Sequence, residues 1–237
     1  MSLTENLKPG EWEFTPDVVK EFDTHVNQSV PHYSEIQTMI SEISDWLLPN
    51  NGIVADLGAS TGTTIDRIAE RHPSRKFNAY LYDVKQAMLD AAKTKLSARS
   101  NVKGDYYTSS ITNQLKHRDA DLTIACLTLQ FLSNSDRKSA LKYAHYASKK
   151  GAGIIVVEKV YQSNPFWQEI ATDLTQERKE TSGLTAQEVR DKQAAIRGVL
   201  RAKTTDELIT ELRETGWGQI DEVFRWHNWI MLVARAN

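Results

Sequence analysis

Apolar residues recur along this chain at two different spacings, and the spacing changes at Gly52. Residues 34–48 carry apolar side chains at helical intervals, which predicts an amphipathic helix. Beyond Gly52, short apolar runs typical of buried strands alternate with longer amphipathic segments. The predicted strands are residues 53–57, 77–82, 102–107, 121–127 and 154–158. Strands separated by helices in this way predict an α/β protein with a mostly parallel sheet.

This alternation stops after Val160. Residues 164–214 contain few β-branched runs, and capping-box patterns at Thr185 and Thr204 mark two helix starts. The stretch is too long for a simple crossover connection. We therefore interpret residues 164–214 as an inserted helical lid.

The two ends of the chain complete one predicted domain of residues 1–237. Residues 1–48 precede the first strand and are expected to form a helical cover. Residues 220–226 and 229–234 have the character of strands and are separated by a tight turn at His227-Asn228, which predicts a C-terminal antiparallel hairpin.

The composition narrows the class of protein. The chain has 237 residues, 29 of them basic and 31 acidic, so no positive field favours nucleic acid or an anionic membrane. Its apolar runs fall far short of the about 20 residues that span a membrane, and its N-terminus lacks a leader pattern, so we expect a cytoplasmic protein. A single cysteine excludes a disulfide framework, and the six scattered histidines predict no metal site.

The clearest chemical signal follows the first predicted strand, where residues 56–62 read Asp-Leu-Gly-Ala-Ser-Thr-Gly. Gly58 and Gly62 predict a tight turn whose bare backbone leaves room for a ligand, beside the unpaired N–H groups of the next helix. A glycine turn without a ligand is the alternative. Asp83 favours a ligand, because an acid at the end of the second strand can accept both hydroxyls of a ribose. No Gly-Lys-Ser/Thr follows the loop, which excludes a Walker-type site and predicts a nucleoside ligand.

These features resemble the class I S-adenosylmethionine (SAM) methyltransferases, which have a Rossmann-like, seven-stranded sheet with a final antiparallel hairpin. In that family the glycine loop backs the methionine part of SAM. A closer resemblance, to the carboxy-S-adenosylmethionine synthases, runs through nearly the whole chain. It is carried by residues 29–34 (Ser-Val-Pro-His-Tyr-Ser), residues 127–132 (Leu-Thr-Leu-Gln-Phe-Leu) and Glu158-Lys159. Those enzymes convert SAM and prephenate to carboxy-SAM for tRNA wobble-uridine modification, which implies SAM or carboxy-SAM as the ligand here.

The resemblance also implies a set of ligand contacts. With the loop residues Asp56 and Gly62, they are Tyr33, Gly58, Ala59, Ser60, Asp83, Val84, Ser110, Ile111, Cys126 and Gln193. Tyr33 and the glycine loop follow the synthase pattern except at Ala59, which replaces a cysteine.

Four more of these positions depart from the synthases: Val84 replaces Asn, Ser110 replaces the Asp at the adenine, Cys126 replaces Asn, and Gln193 replaces Arg. The arginine pairs with the added carboxylate of carboxy-SAM. Because a glutamine amide offers one neutral bond in place of a charged bidentate pair, Gln193 argues against the synthase activity. Lys192 and Arg197 are alternative cations that the sequence does not place.

We therefore expect a SAM-dependent transferase of methyltransferase type, whose acceptor the sequence does not identify. Methyl transfer is an in-line displacement that needs alignment and exclusion of water, so no catalytic residue is assigned. A carboxy-SAM synthase and a non-catalytic nucleoside-binding protein stay open as alternatives. No membrane or clear nucleic-acid partner is expected, and a homodimer stays open.

Two further groups of side chains, one charged and one aromatic, are expected to have mainly structural roles. Residues 176–214 hold eight basic and eight acidic residues, a balance that indicates a solvated helix surface. Four aromatic residues, Phe166, Trp167, Trp226 and Trp229, are candidates for the wall of a substrate pocket, although packing is the default expectation.

Overall fold

The computed structural model describes residues 16–237, so the first 15 residues of the predicted cover lie outside the described part. The helices are α1 (Pro16–Ser29), α2 (Tyr33–Leu47), α3 (Thr63–Arg71), α4 (Gln86–Leu96), α5 (Asn134–Tyr146), α6 (Pro165–Thr181), α7 (Ala186–Ile196) and α8 (Thr205–Glu214). The strands are β1 (Gly52–Leu57), β2 (Phe77–Asp83), β3 (Val102–Thr108), β4 (Ala120–Cys126), β5 (Ser148–Tyr161), β6 (Lys203–Thr204), β7 (Trp217–Trp226) and β8 (Trp229–Ala236). No helix in this range is long and apolar enough to cross a membrane.

The strands form one sheet in the order β3-β2-β1-β4-β5-β8-β7, which confirms the predicted Rossmann-like architecture. Strands β1 to β5 run parallel, and β8 pairs antiparallel with both β5 and β7. The two-residue β6, which the pattern does not predict, pairs with the end of β5. Strand order reverses between β1 and β4, and ligands of such sheets bind at the carboxyl ends beside this point.

Helices cover both faces of the sheet, and successive residues of β5 face the two sides in turn. Ile155 and Val157 belong to an apolar cluster with residues of α2, α3 and α4. Ile154 and Val156 belong to a second cluster with residues of α5 and α8. This alternation, which follows from the period of two residues in a strand, decides which side chains near the end of β5 face the site.

The last helix of the predicted lid is part of this second layer. Leu208 and Leu212 of α8 are buried in the second cluster. The buried Arg137 of α5 also binds Glu158 of β5 and Glu211 of α8, each at 3.0 Å. Within residues 164–214, therefore, α8 packs on the sheet, and only α6 and α7 extend beyond it to the cavity described below.

Candidate functional site

A cavity lies at the carboxyl ends of the parallel strands. The loops after β1, β2, β3 and β4 line it, together with α1, the start of α2, and the two helices α6 and α7. Its walls are mainly apolar, with contributions from Phe22, Val26, Ile196 and Leu200. The site is therefore assembled from segments that lie far apart in the sequence.

Backbone hydrogen bonds fasten the glycine loop to the end of β2. The amides of Gly58 and Ala59 both donate to the Tyr82 carbonyl at 2.8 Å. The Ser60 amide donates to one oxygen of Asp83 at 3.0 Å, and the Lys85 amide donates to the other at 2.9 Å. Asp83 is thus held on both sides at the edge of the cavity.

Both glycines of the loop have positive φ angles, +87° at Gly58 and +76° at Gly62. We expected them to leave room for the ligand. A Cβ at Gly58 would instead overlap the Thr128 side chain, and one at Gly62 would lie 2.9 Å from the Ala92 Cβ. The immediate physical reason for these glycines is therefore backbone conformation and close packing within the protein.

Two acids at this end of the sheet have raised pKa values. Asp56 is buried beneath the loop and does not line the cavity; burial and, secondly, the nearby Asp83 raise its pKa to about 7. Burial also raises the pKa of Asp83, although its hydrogen bonds from backbone amides oppose the shift. Gly62, like Asp56, lies behind the cavity wall.

Nine of the predicted contacts line the cavity. They are Tyr33, Gly58, Ala59, Ser60, Asp83, Val84, Ser110, Ile111 and Cys126. Val84 is 63% exposed, and the Ser110 hydroxyl lies 2.7 Å from that of Thr112. Cys126 lies 3.6 Å from the Gln37 amide nitrogen, and burial strongly raises the pKa of its thiol, which disfavours the nucleophilic thiolate.

Helix α7 presents a different residue from the one expected. Gln193 does not line the cavity, and neither does Arg197. The neighbouring Lys192 does, and its Nζ donates to the Ser29 hydroxyl at 2.6 Å and also lies against the His25 ring. The cation on this helix that faces the site is therefore Lys192.

Lys159 at the end of β5 and Lys179 of α6 also line the cavity. Burial lowers the pKa of all three lysines, and Lys179, which is only 6% exposed, falls to about 8. The interpretation of residues 176–214 as a solvated charged surface is therefore wrong for Lys179 and Lys192. Sequence reasoning missed Lys159 and Lys179; Glu158-Lys159 carried a signal in the quoted synthase motif, but nothing local marked Lys179.

The aromatic candidates divide between the cavity and the surface. Trp229 lines the cavity and is buried, whereas Phe166 and Trp167 are 61% and 58% exposed. Trp226 packs edge-on against His32 and is not part of the lining.

Helix α1 closes the cavity above the loop. Asp23 of α1 accepts hydrogen bonds from the Thr61 hydroxyl at 2.6 Å and from Lys95 of α4 at 2.7 Å. Because Thr61 belongs to the glycine loop, this contact ties the cover helix directly to the loop.

Comparison with known proteins agrees with this geometry. Residues 54–151 match the family described as a methyltransferase domain. The chain is 30% identical to the carboxy-S-adenosyl-L-methionine synthase of Staphylococcus epidermidis, over 97% of this chain and 99% of that one. It is 28% identical to the synthase of Methylococcus capsulatus, over 93% of this chain and 92% of that one.

Solved structures show the same fold. An O-methyltransferase family protein from Burkholderia thailandensis superposes with a TM-score of 0.66 at 14% identity, and covers 92% of this chain. Human N-acetylserotonin methyltransferase superposes with a TM-score of 0.64 at 16% identity, and covers 94%. This chain spans 59% and 57% of those two longer chains.

The near-full-length similarity, the methyltransferase domain and the cavity beside the glycine loop agree. The protein is an enzyme, a SAM-dependent transferase, and it belongs to the carboxy-S-adenosyl-L-methionine synthase family within the class I methyltransferases.

Proposed function

We propose that the protein forms carboxy-SAM from SAM and prephenate. The observation that carries this proposal is the lysine-lined cavity beside the glycine loop, because a carboxylate donor needs cations there. The argument from Gln193 against synthase activity loses its force, since Lys192 faces the cavity in its place.

The residues at the sheet edge fit SAM. The Asp83 oxygens accept hydrogen bonds from backbone N–H groups, and the carboxylate has further acceptor capacity for the ribose hydroxyls. We assign the adenine to Ser110 and Ile111, and the methionine part to the glycine loop. In the overall reaction prephenate loses its ring carboxyl group as CO2 and its ring hydroxyl as hydroxide, and becomes phenylpyruvate. The sulfonium of SAM acidifies its methyl group, whose proton leaves with the hydroxide as water, and the methyl carbon forms the new bond to the carbon of CO2. The protein aligns the two substrates and excludes water.

Ordinary methyl transfer to a small acceptor is the second candidate. It is favoured by the departures from the synthase pattern at Val84, Ser110 and Cys126, which alter the walls of the SAM site. The two activities differ in their products, since methyl transfer leaves demethylated SAM and carboxylation does not.

Mass spectrometry of the reaction products tests the proposal. Purified protein is incubated with SAM and with prephenate labelled with ¹³C in the carboxylate of its ring. We expect carboxy-SAM that carries the label, and none when prephenate is omitted. At a SAM concentration near the wild-type dissociation constant, Asp83→Ala should strongly reduce product formation, whereas Asp90→Ala, an exposed acid on α4, should not. Unchanged SAM, or demethylated SAM in place of the carboxylated product, contradicts the proposal.

A further inference from the structure

One wall of the cavity is rich in hydrogen-bond donors. Lys159 of β5 lies directly opposite Trp229 of β8 in the antiparallel register, and both line the cavity. The buried Trp229 Nε1 has no hydrogen-bond acceptor among the described residues. A buried indole N–H normally finds an acceptor, so this donor indicates a ligand.

Two further lysines complete this donor wall, which consists of Lys159, Lys179, Lys192 and Trp229. The three lysines line the same cavity, and in agreement with this Lys159 and Lys179 both lower the pKa of Lys192. Within residues 16–237, no carboxylate forms an ion pair with Lys159 or Lys179. Lys179 is buried, and Lys159 and Lys192 are half-buried. Ammonium groups that cluster with little access to water are unfavourable unless an anion compensates them.

Lys192 is held differently from the other two lysines. Its contacts with Ser29 and His25 fix it against α1. Burial and the nearby lysines lower the pKa of His25 to about 4, so this ring is neutral near pH 7 and adds no charge. Lys159 and Lys179 therefore remain to bind a ligand directly, with Lys192 held beside them.

We propose that the donor wall binds the second substrate as a small dicarboxylate, with Lys159, Lys179 and the Trp229 indole donating to its carboxylate oxygens. This inference rests on the proposed function for the identity of that substrate. Two carboxylates match Lys159 and Lys179 better than one does, because each ammonium group then has its own counter-charge. Ammonium groups contact carboxylates as point charges and need no fixed bidentate geometry. The apolar lining from α1 and α7 suits the hydrocarbon body of such a molecule.

Binding to charge-deleted variants tests this assignment. Lys159→Met and Lys179→Met remove one charge each and keep the side-chain length, while Lys142→Met removes an exposed lysine of α5 as the matched control. Protein saturated with demethylated SAM is titrated with prephenate. Each cavity variant should bind prephenate at least about tenfold more weakly than wild type, as expected for a lost bond to a charged group. Affinity for demethylated SAM should stay within about twofold.

Three further readouts distinguish the donor wall from a structural role. Lys179→Arg should recover most of the affinity, because it restores the charge. Trp229→Phe, which keeps a ring and removes the N–H, should weaken prephenate binding several-fold. Phenylpyruvate, with one carboxylate, should bind wild type more weakly than prephenate, and Lys179→Met should narrow that difference.

The outcomes separate this inference from the proposed function. Unchanged prephenate affinity in both Lys159→Met and Lys179→Met overturns the donor wall, even if wild type makes carboxy-SAM. Lysine-dependent binding of prephenate without carboxy-SAM formation upholds the donor wall and contradicts the proposed function.

Discussion

The Ser60 amide donates a hydrogen bond to the Asp83 carboxylate, so the residue proposed to hold the ribose also holds the glycine loop. Ser60 follows β1, and Asp83 ends the neighbouring β2. Loop geometry and ribose recognition are therefore coupled through one side chain. Substitutions at position 83 should change both.

Asp83→Ala should weaken SAM binding by about 2–4 kcal/mol, because two charge-assisted bonds of about 1.5–3 kcal/mol each are lost. Asp83→Asn should fall between alanine and wild type, since its amide oxygen still accepts from the Ser60 amide. Isothermal titration with SAM measures both, with Asp90→Ala as control. If SAM affinity were the same in Asp83→Ala and wild type, the site assignment would be wrong.

Gly58→Ala should lower the free energy of unfolding by about 1–2 kcal/mol from its positive φ alone, and by more from overlap with Thr128. Thr128→Ala removes the two closest atoms, so the double variant should recover part of the loss. Urea unfolding of the two single variants and the double variant gives this coupling energy. Strict additivity would contradict the close-packing role assigned to Gly58.

In the absence of a bound anion, Lys179→Met should raise the free energy of unfolding. The pKa of Lys179 falls from 10.5 to about 8 on folding, which costs at most about 3 kcal/mol at pH 7. Between about pH 8 and 10.5 the unfolded chain binds more protons, so this cost fades as pH rises. Urea unfolding of wild type and Lys179→Met should show a larger gain in the free energy of unfolding at pH 7 than at pH 10. A loss of stability at pH 7 would mean that Lys179 has a structural partner.

Prephenate binding should take up protons above pH 8 and weaken as pH rises. A bound anion favours the charged form of Lys179, whose pKa in the free protein is about 8. The other titratable groups facing the cluster are His25, Lys159, Lys192 and Glu188. The enthalpy of prephenate binding is measured by calorimetry at pH 8.5 in buffers of different ionisation enthalpy. Its dependence on the buffer gives the number of protons taken up on binding. Lys179→Met should reduce that count, and an equal count in the variant would exclude Lys179 as an anion contact.

Breaking the buried cluster behind the site should be costly. Arg137→Met leaves Glu158 and Glu211 buried without this partner, and removing one partner of such a cluster typically costs about 3–5 kcal/mol. Chemical denaturation measures the loss, with Lys138→Met, at an exposed ion pair, as the control. A loss below about 1 kcal/mol would show that the cluster is not coupled to stability.

Local patterns were sufficient to predict every described strand except β6, their order along the chain and the C-terminal hairpin. Hydrophobic periodicity reports the secondary structure of each segment, because it depends only on which neighbouring side chains share a face. The glycine loop and Asp83 were predictable for the same reason, since each stands at a strand end that the pattern marks. Most predicted contacts from the sheet line the cavity.

The contacts from α6 and α7 depended on tertiary structure. Lys192 and Gln193 are adjacent on α7. Successive side chains of a helix point in different directions, and this decides which of the two faces the cavity. The charge balance of residues 176–214 could not reveal this, because composition carries no direction. The packing of α8 on the sheet was also undetermined, since a helix pattern does not state which surface it covers.

The sequence by itself determined an α/β chain with a nucleoside-type loop and a family resemblance to SAM-dependent enzymes. Only the tertiary structure brought Lys159, Lys179 and Lys192 together from a strand and two helices. Burial lowers the pKa values of all three lysines, and the nearby lysines lower those of Lys179 and Lys192 further. Both causes depend on the three-dimensional arrangement, and no spacing along the chain encodes them.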